Sequence, residues 1–158
     1  RAMIKPTLPL LLCAALALSA CAGRTTDPVA GAAANPSSPV YFTQSVGDRV
    51  LFPVDESGLT PAARATLTQQ AQWLAANGQF DAVIEGHADE QGTREYNLAL
   101  GARRANAVQE FLVSQGVAPG RLDTVTFGKE RPVEVCSDEA CYAQNRRAVT
   151  RLTGGGGV

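Results

Sequence analysis

The passage from Phe80 to Gln115 constrains this chain most, because one hydrophobic period gives way there to another. Phe80–His87 (FDAVIEGH) is β-rich and alternating, the pattern of a strand with one face covered. After a loop containing Gly92, the apolar residues Tyr96, Leu100, Ala107, Val108, Phe111 and Leu112 recur at helical spacing until Gly116. Upstream, Thr60-Pro61 places a capping hydroxyl before a proline at the first helical position. Ala63, Leu67, Ala71 and Leu74 then form one face of a helix that stops at Asn77-Gly78. Arg49–Phe52 reads as a short strand stopped by Pro53, Leu122–Phe127 as another, and Arg147–Leu152 as a last one, with a short helix around Asp138–Gln144. Strands alternating with helices predict an α/β (α+β) two-layer sandwich of βαβαβ type, a mixed sheet with helices packed on one face.

The first 20 residues stand apart from that pattern. Arg1 and Lys5 precede an uncharged apolar run, Leu8–Leu18, followed by Ser19, Ala20 and Cys21. A membrane-spanning helix needs roughly 20 apolar residues; this run is shorter, and its basic flank and small-residue exit read as a secretion signal over 1–20. Leu18-Ser19-Ala20-Cys21 resembles the lipobox of bacterial lipoproteins, which implies that Cys21 is acylated and becomes the new N-terminus. Stable anchoring needs more than one acyl chain, and such lipoproteins carry three. Ala22, where an inner-membrane protein of this class usually has Asp, favours the outer membrane. Residues 21–46 hold the lipidated cysteine and a stretch rich in Ala, Gly, Pro, Ser and Thr that reads as a flexible tether. Its maximum reach is roughly 80–90 Å. The folded domain is expected over 47–153, with a frayed tail at 154–158.

Charge narrows the partners. Without Arg1 and Lys5 the chain has 12 basic and 15 acidic residues, a net charge of −3. No basic cluster is present of the kind that phosphate neutralisation requires, so nucleic acid is not an expected partner. Of four cysteines, Cys13 leaves with the signal and Cys21 takes lipid. Cys136 and Cys141 remain, and in an oxidising compartment they are expected to form a structural disulfide worth about 2 kcal/mol. Two thiolates without further ligands do not make a zinc site, and the spacing is not that of a redox pair. No metal and no cofactor is expected.

The chemistry concentrates in Val83–Val108. Here the strand delivers His87 and Ala88 to a sheet end, and Asp89 enters a tight loop with Gly92. Asn97 and Arg104 lie seven residues apart on the following helix, nearly on one face. A carboxylate, an amide and a guanidinium in one cleft suit a ligand with an ammonium and a carboxylate, since Asp accepts from the former and Arg forks onto the latter. The alternative is a structural Asp89–Arg104 ion pair that pins the loop to the helix. Arg103 points about 100° away, as a surface salt-bridge residue. Tyr96 and Phe111 read as core, Glu85 and Glu90 as solvated or structural carboxylates, and His87, the sole histidine, as a packing or hydrogen-bonding residue.

The same stretch resembles the OmpA-like cell-wall-binding domain family, whose pattern is met by Gly86, His87, Ala88, Asp89, Gly92, Tyr96, Asn97, Leu100, Arg103, Arg104, Ala105 and Val108. The likeness extends to Phe52 and Asp55, to Phe127-Gly128-Lys129 and to Asn145-Arg146-Arg147-Ala148-Val149, covering about 48–152. It implies an OmpA-like fold that binds diaminopimelate in peptidoglycan, with Asp89 on the ammonium, Arg104 on the carboxylate, Asn97 in support and Asp55 lining the cleft. It also implies a place in the Tol system and docking to that system's periplasmic β-propeller protein (TolB). Pro53-Val54 departs from the family, and Pro53 has no N–H to offer a ligand. Catalysis is not expected: a glycosidase needs two carboxylates flanking the bond, and a zinc or serine hydrolase needs more than one histidine with no partners. The other non-catalytic reading is a protein-interaction hub with this fold but no wall binding.

Overall fold

The computed structural model describes residues 35–135 and 137–154. The expected signal at 1–20, Cys21, the tether before residue 35, Cys136 and residues 155–158 lie outside the described residues.

The elements run α1 (Pro39–Tyr41), a π-helical segment (Phe42–Gly47), β1 (Arg49–Leu51), α2 (Pro61–Ala76), β2 (Phe80–His87), α3 (Arg94–Ser114), a 3-10 turn (Pro119–Arg121), β3 (Leu122–Gly128), α4 (Glu139–Asn145) and β4 (Arg147–Gly154). The four strands form one mixed sheet in the order β1-β4-β2-β3. β2 and β3 are parallel and joined through α3, while β4 lies antiparallel to both β1 and β2. β1 and β2 therefore point the same way. The chain arrives at β1 from one end of the sheet, and the loops after β1 and β2 emerge at the other. This is the expected α+β sheet with helices packed on it.

Each helix begins where its sequence offers a cap. Thr60 accepts from the Ala63 N–H at 3.1 Å, Thr93 from Tyr96 at 3.2 Å and Asp138 from Cys141 at 3.1 Å. These bonds satisfy donors that the first turn leaves open. Gly116, at φ 98°, takes the left-handed position after α3. The core joins Leu67 and Leu74 of α2, Val108 and Leu112 of α3, and Val50, Ile84 and Ala148 of the sheet. Its closest approach lies between β2 and α3. A Cβ on Gly86 would sit 1.8 Å from the Gly101 carbonyl oxygen, and one on Gly101 would sit 2.5 Å from Thr126 Oγ1.

The tether expected through residue 46 needs correction at its end. Ser38 caps α1 by accepting from Tyr41 N–H at 3.1 Å, and Phe42 is 1% exposed, its ring tilted against Trp73 at 4.9 Å between ring centroids. Trp73 Nε1–H donates to the Pro36 carbonyl at 2.7 Å. Residues 36–47 thus belong to the folded unit, because burial of one aromatic ring outweighs a composition poor in helix formers. At the other end Gly154 closes β4 opposite Phe80, so the strand extends one residue into the expected tail.

His87 is buried on the sheet's helix-free side, with its ring 5.5 Å from that of Phe127. Neither ring nitrogen has a hydrogen-bond partner among the described residues, and the Glu85 carboxylate stands 3.6 Å from Nε2, too far for one. Burial, reinforced by Arg147 and Arg131, pushes its pKa down to about 4. The folded protein therefore holds a neutral imidazole, while the unfolded chain takes a proton near pH 6.5. Stability is complete above about pH 6.5 and falls as pH drops towards 4, by up to about 3 kcal/mol. Urea unfolding across that range is expected to show the loss in wild type and not in His87→Leu. Equal slopes in both proteins would assign it to other groups.

Candidate functional site

β1 and β2 deliver two loops to the same end of the sheet. The first, Phe52–Gly58, turns at Asp55, which sits at φ 58°, a left-handed conformation that aspartate tolerates better than most residues. The second, Ala88–Thr93, starts with Ala88 N–H donating to the Gly128 carbonyl at 2.8 Å. Asp89 then turns the chain by accepting from Gln91 N–H at 3.1 Å, and Gly92 supplies φ 89°. Two side chains fasten this loop. Asn97 Nδ2 donates to the Gln91 carbonyl at 2.8 Å, and Lys129 Nζ to the Gly92 carbonyl at 2.7 Å.

Between the loops and the start of α3 lies a hollow of about 280 Å³, lined by Val54, Asp55, Asp89, Gln91, Gly92, Tyr96, Asn97 and Leu100. Three of the four residues singled out from sequence, Asp55, Asp89 and Asn97, meet on its wall. Arg104 does not. It is 0% exposed and lies under the two loops, where Nε donates to the Glu56 carbonyl at 2.8 Å, Nη1 to His87 at 2.8 Å and Nη2 to Pro53 at 3.1 Å. The guanidinium also faces the Phe52 ring at 5.2 Å. Burial draws its pKa down to about 10 against the attraction of Asp89, so it remains a cation at neutral pH. The expectation that Asp89 and Arg104 present side by side to a ligand is corrected in its geometry. α3 buries one continuous stripe of Asn97, Leu100, Gly101, Arg104, Ala105, Val108 and Leu112, and Arg104 is the polar residue at its centre. Pro53 takes part after all, through its carbonyl and not through the N–H it lacks.

Asp89 has another cation. Arg146, buried at the end of α4, approaches Asp89 Oδ2 through Nη1 at 3.2 Å, and also binds Glu139. Burial alone would lower the pKa of Arg146, but its bonds to Glu139 and Asp89 hold it above the ordinary value. Sequence reasoning placed Arg146 within a family pattern and gave it no role. The signal was an arginine beside a buried strand start, 57 residues from its partner and invisible to spacing.

Tyr96, expected in the core, is 44% exposed and lines the hollow, its hydroxyl donating to Asp55 Oδ1. That bond raises its pKa. One position along the wheel separates it from the buried stripe. Arg103 stands outside over the Tyr96 ring at 5.9 Å, at the surface as expected. Phe111 packs against the core under Arg64, whose guanidinium lies 5.5 Å from its ring. Glu90 is structural, accepting from Tyr142 Oη at 2.8 Å and Ser137 Oγ at 3.1 Å. Among the described residues no group of three or more His, Cys, Asp or Glu is arranged to hold a metal ion, and no helix is long and apolar enough to cross a membrane.

A mixed β1-β4-β2-β3 sheet that raises an Asp loop and an Asp–Asn hollow at one end defines a class. The chain belongs to the OmpA family, whose pattern matches residues 51–146. Within it, the chain is similar along most of its length to proteins named peptidoglycan-associated lipoprotein. Identity to the one from Mesorhizobium japonicum is 51% over 162 aligned positions, covering 98% of this chain and 96% of the relative. To that of Rhizobium meliloti it is 51% over 148, covering 89% and 84%. The crystal structure of the peptidoglycan-associated lipoprotein from Burkholderia pseudomallei superposes with a TM-score of 0.68 at 40% identity, covering 77% of this chain and 98% of that one. The C-terminal domain of Helicobacter pylori MotB shares the fold alone, with a TM-score of 0.65 at 17% identity over 69% and 86% of the two chains.

Proposed function

We propose that this chain is a non-catalytic lipoprotein of the outer membrane whose periplasmic domain binds peptidoglycan non-covalently. The observation that carries the reading is the hollow itself: two carboxylates, Asp55 and Asp89, face one space with the Asn97 amide beside them. Such a space attracts a compact cation with hydrogen-bond donors, and the free ammonium of diaminopimelate in a stem peptide is one. Asp89 spends one oxygen on Gln91 N–H and one on Arg146, which leaves about two of its four lone-pair directions for the ligand. Tyr96 holds Asp55 towards the same space. Arg104 acts from beneath, binding the backbone of the first loop and the last residue of β2, from which the second loop springs, so that the two carboxylates stay in register.

Acylation at Cys21 would tie the domain to the outer membrane, and the reading extends to the Tol system, its β-propeller protein as a second partner, and a part in envelope integrity and cell division. A Cys136–Cys141 disulfide would tie the segment before α4 to that helix's first turn. The wall-binding claim is tested by cosedimentation with purified peptidoglycan. Asp89→Asn keeps the size and the Gln91 bond while removing the charge, and is expected to bind at least 10-fold more weakly. Sedimentation equal to wild type would leave the fold standing and remove the wall from its function, in favour of a protein-interaction role.

A further inference from the structure

Asp89 is nearly buried and already has a cation, yet on the reading above it must still attract a second one. A carboxylate fully matched by an arginine offers little to an ammonium. Two buried cations, Arg104 and Arg146, stand against Asp55 and Asp89, and the balance tips to negative only because Arg146 is shared with a third carboxylate, Glu139. Arg146 Nη1 contacts Asp89 Oδ2 at 3.2 Å and Glu139 Oε2 at 3.3 Å, and its Nη2 binds Glu139 Oε1. The row Asp89, Arg146, Glu139 thus runs negative, positive, negative. α4 holds Glu139 there. Asp138 caps the helix, and Tyr142 and Ser137 both reach across to Glu90, the residue next to Asp89. Glu139 itself lines no part of the hollow, and its side chain is 67% exposed.

We propose that Glu139 sets the affinity of the hollow for an ammonium ligand without touching it, by drawing on Arg146 and so leaving the cluster of Asp55, Asp89, Arg104, Arg146 and Glu139 with one negative charge in excess. It is a positioning residue for charge, not a contact. This rests on the wall-binding reading, and the experiment separates the two. Glu139→Gln keeps an oxygen for Arg146 but no charge; Glu139→Asp keeps the charge on a shorter arm. With binding to peptidoglycan measured at low salt, Glu139→Gln is expected to bind about fivefold more weakly than wild type, and Glu139→Asp within about twofold, at unchanged melting temperature. The gap between wild type and Glu139→Gln closes in 0.5 M salt, where the Debye length falls to a few Å. If Glu139→Gln binds like wild type while Asp89→Asn does not, the wall reading stands and this inference fails. Equal losses in Glu139→Gln and Glu139→Asp would assign the effect to helix geometry and overturn it too. Should wild type itself not sediment, both fall.

Discussion

Replacing Arg104 with alanine is expected to lower stability by on the order of 4 kcal/mol, and the melting temperature by roughly 15–20 °C. The side chain is wholly enclosed and donates to three carbonyls, those of Pro53, Glu56 and His87. Truncation would leave those oxygens buried without donors and open a space beneath two loops that, among the described residues, only Arg146, bonded to Phe52 and Asp89, would still bridge by side-chain hydrogen bonds. Lysine is expected to rescue poorly, since one ammonium cannot address three carbonyls set in a fan around a planar fork. Thermal unfolding followed by circular dichroism checks the first part, and peptidoglycan cosedimentation below the new melting temperature checks the second. An Arg104→Ala protein that melts like wild type yet fails to bind the wall would make this residue a ligand contact after all, as the sequence alone suggested.

Gly86→Ala is expected to be the more damaging change, costing more than about 4 kcal/mol and leaving little folded protein at 37 °C. The added methyl carbon would lie 1.8 Å from the Gly101 oxygen and 2.6 Å from its carbon, both backbone atoms in the middle of a long helix. Neither can move without shifting α3 off the sheet. That shift would also carry Asn97 away from the loop it fastens. Gly101→Ala is expected to follow it with a smaller effect, because one of the atoms it meets is the rotatable Thr126 hydroxyl. A soluble Gly86→Ala domain with wild-type stability would show that β2 and α3 can separate freely.

The sheet and the two long helices were legible because their signals are local: a capping Thr before Pro61, a glycine after α3, and alternation along Phe80–His87. That Asp89 and Asn97 would meet at one hollow was legible for the same reason, since they lie eight residues apart across one loop. The failures share a cause. Phe42 orders the segment before β1 by packing on Trp73, 31 positions away. Arg104 fits the spacing of a buried stripe, but charge made it read as a residue lining the cleft. Asp89 finds Arg146 across the whole second half of the domain. In each case the deciding partner is distant along the chain, and periodicity carries no information about distance of that kind.

The arrangement of β1 and β2 has a mechanical consequence. The chain reaches β1 through the packed segment 36–47, and the hollow opens beyond the far ends of β1 and β2, so on the proposed reading a pull between a lipid anchor and a ligand held at Asp89 would run lengthwise down the sheet. The hydrogen bonds joining β1, β4 and β2 lie across that line and resist sliding together. Within the sheet, nothing along that line opens one rung at a time. Tension between two layers of an envelope would load the paired strands in shear.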